Sequence, residues 1–412
     1  MSESTAVINA RHDWSGQRAI IIGGSIGGLT AALLLRRLGF DVDVYERTPT
    51  SLDGRGGGIV LQPDSLRWFR ECSTQHPEQV STSTDYVQYI GSDNEVLHRD
   101  HLPYRYTSWG TFYRALLADF GSEHYHLGEY AAGFDEFSSG TEESAGVEVR
   151  FASGLRERAE LVVFADGITS PSRRRISPES ELQYSGYVGW RGTVPERDVS
   201  PQTFELLHDA ITFSVGPHTH INVYPIPSTD GGLAVGERLL NYVWYRNVAE
   251  GHELDELMTD KRGFAAKVSL HPGAVQDRFI DKMRTAAIEL LAPAAAEVVV
   301  RTEEPYLQAV YDAGTSRMAL GRVALIGDGA SAARPHAAAG TAKAAANAWA
   351  LFDALAESTD ISDALAKWEP GQLELGQRLL HRVKAMGTRS QFDCTWTPGD
   401  PDLRFGLYAP GR

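Results

Sequence analysis

Wholly apolar runs and amphipathic stretches follow one another closely in the first fifty residues. Ala19-Ile20-Ile21-Ile22 reads as a fully buried strand. Leu29, Ala32, Leu33 and Leu38 then recur at helical spacing, with Arg36 and Arg37 polar and Gly39 as the stop. Asp41-Val42-Asp43-Val44-Tyr45-Glu46 alternates, as a second strand does. The three together predict a βαβ unit of about 30 residues. Glu160-Leu161-Val162-Val163-Phe164-Ala165 and Arg322-Val323-Ala324-Leu325-Ile326 predict two further buried strands, ending in Asp166-Gly167 and Gly327-Asp328. From about 180 to 270 aromatic and β-branched residues alternate in short runs, at 187–194, 211–215, 221–226 and 242–248. That pattern predicts an antiparallel sheet inserted into the first unit. The stretch from 75 to 100 is polar with little periodicity, an Ala-rich helix is expected from 341 to 355, and the Pro/Gly-rich tail from Pro398 reads as coil.

Composition narrows the class. The chain has 412 residues, 42% of them apolar and 23% charged, which is ordinary for a globular protein of about two or three domains. The net charge of −15 disfavours general binding to nucleic acid or to an anionic membrane. No apolar run is long enough to cross a bilayer. The first 17 residues lack the apolar core of a secretory signal and read as a polar extension. Two cysteines, Cys72 and Cys394, cannot staple a chain of this size, so a reducing, cytoplasmic compartment is expected. Glycine is in excess, with 40 residues against an average of about 7%.

The glycines are clustered, and the first cluster carries two overlapping motifs. Gly23-x-Ser25-x-Gly27 fits a nucleophile elbow, and Gly23-x-Ser25-x-x-Gly28 fits a dinucleotide fingerprint with serine at the middle glycine. An elbow needs several strands upstream, and little chain precedes this one. The fingerprint instead requires an acid about 20 residues on, at the end of the next strand. Glu46 stands there, able to accept from ribose hydroxyls, while the glycines let backbone approach a pyrophosphate at the helix N-terminus. An acid at this place points to FAD or NAD, not to a 2′-phosphate. The second cluster, Gly54-Arg55-Gly56-Gly57-Gly58, is expected close to a cofactor ring, with Arg55 solvated. The close histidine pairs His98/His101, His124/His126 and His218/His220 lack further ligands at metal spacing and read as exposed strand faces, so no metal site is expected.

Asp166-Gly167-x-x-Ser170-x-x-Arg173 and Gly327-Asp328, with Pro335 and Gly340 beyond, follow the fingerprint in order. This set resembles the single-component FAD-dependent aromatic hydroxylases of the p-hydroxybenzoate-hydroxylase type over nearly the whole chain. Within them it is similar to the hydroxypyridine hydroxylases. The stretches are Gly24-Ser25-Ile26, Asp41 to Arg47, Tyr224-Pro225-Ile226-Pro227, Asn247 to Gly251, Leu254 to Asp260 and Arg334 to Gly340. The resemblance implies an α/β fold: a Rossmann-type FAD-binding domain with an inserted, mainly antiparallel substrate sheet. The implied boundaries are a flexible extension at 1–17, FAD-binding segments at 18–75, 101–180 and 276–390, substrate segments at 76–100 and 181–275, and a tail at 391–412.

The implied activity is hydroxylation of an aromatic ring, a hydroxypyridine first, with NAD(P)H and O2 through a C4a-hydroperoxyflavin. Another phenolic or heteroaromatic substrate is the alternative within the fold, and an NAD-dependent dehydrogenase is the alternative outside it. A homodimer is a possible assembly. The implied cofactor contacts are Gly23, Ser25, Gly28, Glu46, Arg47, Gly58, Arg114 (pyrophosphate), Asp166, Gly327, Asp328 (ribityl hydroxyl), Pro335, Ala338, Ala339 and Gly340. Tyr224 and His336 are the candidate catalytic residues, with histidine the natural base near neutral pH. Arg191 and Trp190 are expected to pack in the sheet. The family pattern is departed from at Ser331, where histidine is usual, at Ala338, where glycine is usual, and at Ala346-Asn347, where acids are usual.

Overall fold

The first apolar run forms β1 (Arg18–Ile22), and β2 (Asp41–Glu46) pairs with it in parallel after the crossover helix α1 (Ile26–Arg37). The computed structural model describes residues 12–52, 57–137 and 145–412. On its other side β1 pairs in parallel with Leu161–Phe164, which pairs in turn with Val323–Leu325. These strands are covered on both faces, which is why they read as continuous apolar runs. Ala319–Leu320 and Tyr125–Leu127 complete a six-stranded sheet. The Ala-rich helix, Gly340–Ala356, packs against α1 through small side chains, and its buried residues include Ala345 and Ala348.

Among the described residues the inserted sheet has nine strands, and Gln183–Pro195, Leu239–Asn247, Thr219–Ile226 and Ala210–Gly216 lie next to one another at its centre. Its pairings are antiparallel except the one between Ala210–Gly216 and Thr82–Ile90. Side chains alternate across it. Val188, Trp190, Ile221, Val223, Tyr242, Trp244 and Leu307 face one way, into a core shared with the helices Asp277–Leu290 and Pro293–Arg301. Tyr187, Arg191, His220, Asn222, Tyr224, Asn241 and Tyr245 face the other way, towards the six-stranded sheet's side of the molecule. Trp190 and Arg191 are adjacent and therefore part company: Trp190 packs into the core, and Arg191 lies on the opposite face beside Tyr306.

Several expectations need correction. The polar stretch 75–100 carries two strands, Thr82–Ile90 and Val96–Ser108. The second runs through the expected boundary at 100, so that boundary cuts a single strand. The segment 276–312, assigned to the FAD-binding part, belongs with the large sheet. Its two helices complete that sheet's core, and its strand Tyr306–Asp312 pairs with Gln183–Pro195. Gly58–Leu61 is likewise an edge strand of the large sheet.

The extension at 1–17 is not loose throughout. Trp14 is 1% exposed, donates from Nε1 to the Leu355 carbonyl at 3.2 Å and stacks on Phe40. A polar context concealed one buried anchor. The tail buries Trp396, Leu403, Phe405 and Leu407 and contains a short 3₁₀ turn, Pro401–Leu403. His220 is buried rather than on an exposed face. A three-stranded sheet, Ala131–Phe137 with Gly146–Phe151 and Arg156–Ala159, and a 31-residue helix, Ile361–Gln391, complete the fold.

Candidate functional site

A cavity of about 180 Å³ opens at the C-terminal edge of the six-stranded sheet, where an open α/β sheet binds its ligand. Gly23 and Ser25 form its floor at the start of α1. The turn leaves no room for side chains. Gly23 has φ +107°, and a Cβ on it would lie 2.3 Å from the Ala165 carbonyl oxygen. A Cβ on Gly28 would lie 1.9 Å from the Gly23 carbonyl oxygen. Gly28 is thus the close-packing glycine behind the cradle, not part of its wall. Ser25 precedes α1 with no capping bond from its side chain, which leaves its hydroxyl available.

Glu46 closes the next side of the cavity. Its Oε2 accepts from the Gly24 amide at 2.9 Å, and its Oε1 accepts from the Thr48 amide and hydroxyl at 2.9 and 2.8 Å. Three of about four lone-pair positions are therefore used, so the carboxylate both braces the turn and keeps a place for a ligand hydroxyl. Arg47 is exposed at the rim. Tyr45, Leu52, Trp109 and Tyr130 add an apolar, aromatic wall suited to a planar base. Trp109 and Tyr130 escaped the sequence reading because they are brought here from separate elements. Arg114 lies on the helix Trp109–Phe120, exposed and outside the cavity lining, with its guanidinium donating to Thr111 Oγ1 at 3.4 Å.

Asp166 stands beside the glycine turn, its backbone nitrogen 3.2 Å from a Cβ placed on Gly23. Its Oδ2 accepts from Ser172 Oγ at 2.7 Å, whereas its buried Oδ1 has no hydrogen-bond partner. Burial pushes this carboxyl above the usual carboxylate range, although hydrogen bonds from Ser170 and Ser172 oppose the shift. Arg173 is buried and ties this end to the next segment, donating to the carbonyls of Ile168, Asp328 and Gly329. The cradle that a Cβ would fill fits a pyrophosphate laid against backbone at the start of α1, with Glu46 beside it for a ribose.

Gly327 has φ +63° and starts a 3₁₀ turn, Gly327–Gly329, that presents Asp328 with its side chain 52% exposed. Pro335 opens the short turn Pro335–Ala337, and Ala338 follows at φ +50°, the left-handed region that glycine fills at least cost. Ala339 and Gly340 lead into the next helix. Gln62 holds this loop from behind, donating to the Ala337 and Ala338 carbonyls at 3.1 and 2.7 Å. The expectation for Gly54, Arg55 and Gly56 lies outside the described residues. Gly57 and Gly58 are described, and they press on the polar face of the large sheet: a Cβ on Gly57 would lie 2.4 Å from the Tyr306 hydroxyl, and one on Gly58 2.6 Å from the Tyr224 ring.

That face concentrates unpartnered polar atoms. Arg191 Nε, Asn241 Nδ2, Tyr306 OH and Asn222 Oδ1 are buried without hydrogen bonds, and His336 Nδ1 joins them from the loop. Gly58 donates to Asn241 Oδ1 at 2.8 Å, which fixes that amide. Gly189 contributes no side chain between Tyr187 and Arg191, and the side chains of Val243 and Tyr245 lie over it. Among the described residues Arg191 has no carboxylate partner, although its guanidinium is always charged. Donors and acceptors concentrated on one buried face suit a polar ligand.

Tyr224 stacks on Tyr106 at 4.9 Å, and burial holds its phenol well above the usual range, so it can donate but not act as a phenolate. His336 accepts or donates through Nε2 to the Tyr187 hydroxyl at 2.7 Å and packs against Tyr245 and His220. The two candidate catalytic residues thus share one face but occupy separate aromatic nests.

Burial drives His336 well below the ordinary histidine value, with His220 and Arg334 adding to the effect, and brings His220 to about 3. Both are neutral in the folded state at neutral pH. A depressed folded pKa adds stability above the unfolded value near 6.5, and this is lost as pH falls towards the folded value. By pH 5 His220 alone is expected to cost about 2 kcal/mol. Thermal melts should therefore fall between pH 7 and 5, and His220→Gln should flatten the fall. An unchanged slope would contradict this account of the nest.

With this geometry in place, similarity to known proteins is informative. Residues 21–55 match the NAD(P)-binding Rossmann-like domain family, and residues 184–312 match the FAD binding domain-like family. The chain is 37% identical over 391 residues to 2,6-dihydroxypyridine 3-monooxygenase of Paenarthrobacter nicotinovorans, covering 95% of this chain and 96% of that one. It is 25% identical to 6-hydroxynicotinate 3-monooxygenase of Bordetella bronchiseptica, with 94% of each covered. The solved structure of 2,6-dihydroxypyridine-3-hydroxylase from Arthrobacter nicotinovorans superposes with a TM-score of 0.88 at 36% identity, covering 95% of this chain and 97% of that one.

Proposed function

The chain belongs to the FAD-dependent aromatic monooxygenases, and on that premise we propose that it hydroxylates a hydroxypyridine ring with NAD(P)H and O2. The observation that carries the substrate class is the polar face of the large sheet. Its Arg191 beside Tyr306, its Asn241 with an unpartnered amide nitrogen and its Tyr224 suit a small planar ring bearing two oxygen acceptors. The likeness to a dihydroxypyridine and a hydroxynicotinate enzyme supports the same reading.

Gly23, Ser25 and the start of α1, with Gly28 letting the turn close behind them, would hold the FAD pyrophosphate, Glu46 the ribose, and Asp166 and Asp328 the ribityl end. Arg47 and Arg114 would lend positive charge from outside. Gly58, Gly327, Pro335, Ala338, Ala339 and Gly340 would pass backbone along the ring. FAD supplies the electron relay from NAD(P)H and the activation of O2. The chain's residues bind and orient. Arg191 favours the ionised substrate oxygen, which raises the electron density of the ring. Tyr224 donates to a second oxygen. Neutral His336 offers Nδ1 as a hydrogen-bond partner to a substrate hydroxyl, since burial keeps the ring from holding a second proton. The aromatic nests around both residues exclude water. Work in the cytoplasm, as a homodimer, belongs to the same reading.

The test is a substrate screen. Hydroxypyridines should stimulate NAD(P)H oxidation by the yellow, purified protein more than simple phenols do. Equal or greater stimulation by phenols would overturn the substrate class, and absence of stimulation by any ring would overturn hydroxylation. Tyr224→Phe and His336→Gln should each slow hydroxylation while leaving flavin content near normal. Unchanged turnover in both would remove them from the site.

A further inference from the structure

Lys343 is 1% exposed, which is unusual for a charge and costly unless it is paired. It sits in the first turn of Gly340–Ala356, where the helix dipole disfavours a cation. Helix stability therefore does not account for it. Its ammonium donates to Asp328 Oδ1 at 3.1 Å and also to the Ser331 carbonyl oxygen. One buried cation thus joins the 3₁₀ turn at 327–329, the segment after it and the helix that follows the 335–339 loop.

Asp328 is differently placed, with half its side chain open to solvent. Among the described residues its Oδ2 has no hydrogen-bond partner, so a lone exposed carboxylate would turn freely about its side-chain bonds. With Oδ1 held, Oδ2 is left facing outward.

We propose that Lys343 is a positioning residue for FAD binding: it pins Oδ1 of Asp328 so that Oδ2 is presented in one orientation to a ribityl hydroxyl. The inference rests on the placement of Asp328 beside the flavin chain. Lys343 itself touches no cofactor in this scheme. It reduces the ordering that binding would otherwise impose on the carboxylate.

The test is a double-mutant cycle read in two ways, by the FAD dissociation constant from titration of flavin-free protein and by the melting temperature without FAD. Lys343→Met should weaken FAD binding about tenfold without lowering the melting temperature, because it removes a buried charge. Asp328→Asn should weaken binding at least as much and lower the melting temperature, because it strips a buried ammonium of its counter-charge. The double variant should bind no more weakly than Asp328→Asn and should recover the melting temperature. Normal FAD affinity in Lys343→Met alongside an impaired Asp328→Asn would overturn the positioning role and leave Asp328 in place. A normal Asp328→Asn would overturn the placement of Asp328, and the proposal with it. Losses that multiply in the double variant would show two independent roles and also overturn it. If Lys343→Met does not fold, Lys343→Gln is read by the same criteria.

Discussion

Gly28→Ala is expected to yield protein without flavin and destabilised by about 3 kcal/mol or more, the range of severe overpacking. The added methyl would lie 1.9 Å from the Gly23 carbonyl oxygen, 3.1 Å from the carbon that bears it and 3.3 Å from Ile21 Cγ2. The first two atoms are backbone, held by the bond from the Gly23 amide to the Tyr45 carbonyl at 2.8 Å, so no side chain can rotate away. The strand-to-helix turn must open. Opening it moves Gly23 and Ser25 out of the cradle and displaces the Gly24 amide from Glu46. Gly371→Ala is the control. That glycine is on a helix with nothing within 4 Å of its Cβ position, so alanine there should be neutral or stabilising by up to about 1 kcal/mol. Flavin content and thermal melts of the two variants check the contrast, and normal flavin in Gly28→Ala would contradict the fit of the cradle.

Arg191→Met carries the second large effect. Methionine fills a similar apolar volume but removes the guanidinium. If that charge meets an ionised substrate oxygen, kcat/KM should fall about 100-fold, near 2.7 kcal/mol of transition-state stabilisation. Flavin content should stay normal, because Arg191 lies on the sheet face and not in the cradle. The melting temperature should hold or rise, since among the described residues no carboxylate is orphaned when this charge is removed. Steady-state kinetics with several hydroxypyridines measure this directly. A fall in stability with unchanged kcat/KM would make Arg191 structural and leave the polar face without its main determinant.

The nucleotide side of the fold was legible because its signals are local. A buried apolar run, a glycine turn that tolerates no side chain and an acid at the end of the next strand fall within thirty residues and have one common cause. The substrate side was only partly legible. Alternation located its central strands, but the same alternation puts Trp190 in the core and Arg191 on the polar face, and periodicity does not say which face meets the cofactor. Trp14 and the tail residues Trp396 and Phe405 were hidden in polar or Pro/Gly-rich stretches, because a single large side chain anchors a segment without any period. The segment 276–312 was placed in the wrong unit since helices carry no mark of the sheet they cover. Lys343 gave no signal at all. A lysine in an Ala-rich helix reads as solvated until the fold brings Asp328 to it.

The central claim, oxygen transfer from O2 to a hydroxypyridine, is tested most directly by mass spectrometry of the product formed under isotopically labelled dioxygen with NAD(P)H and 2,6-dihydroxypyridine. The account predicts a product heavier by one labelled oxygen atom, formed in step with NAD(P)H oxidised. A product carrying no label, or NAD(P)H oxidation that yields only hydrogen peroxide with every hydroxypyridine offered, would contradict it.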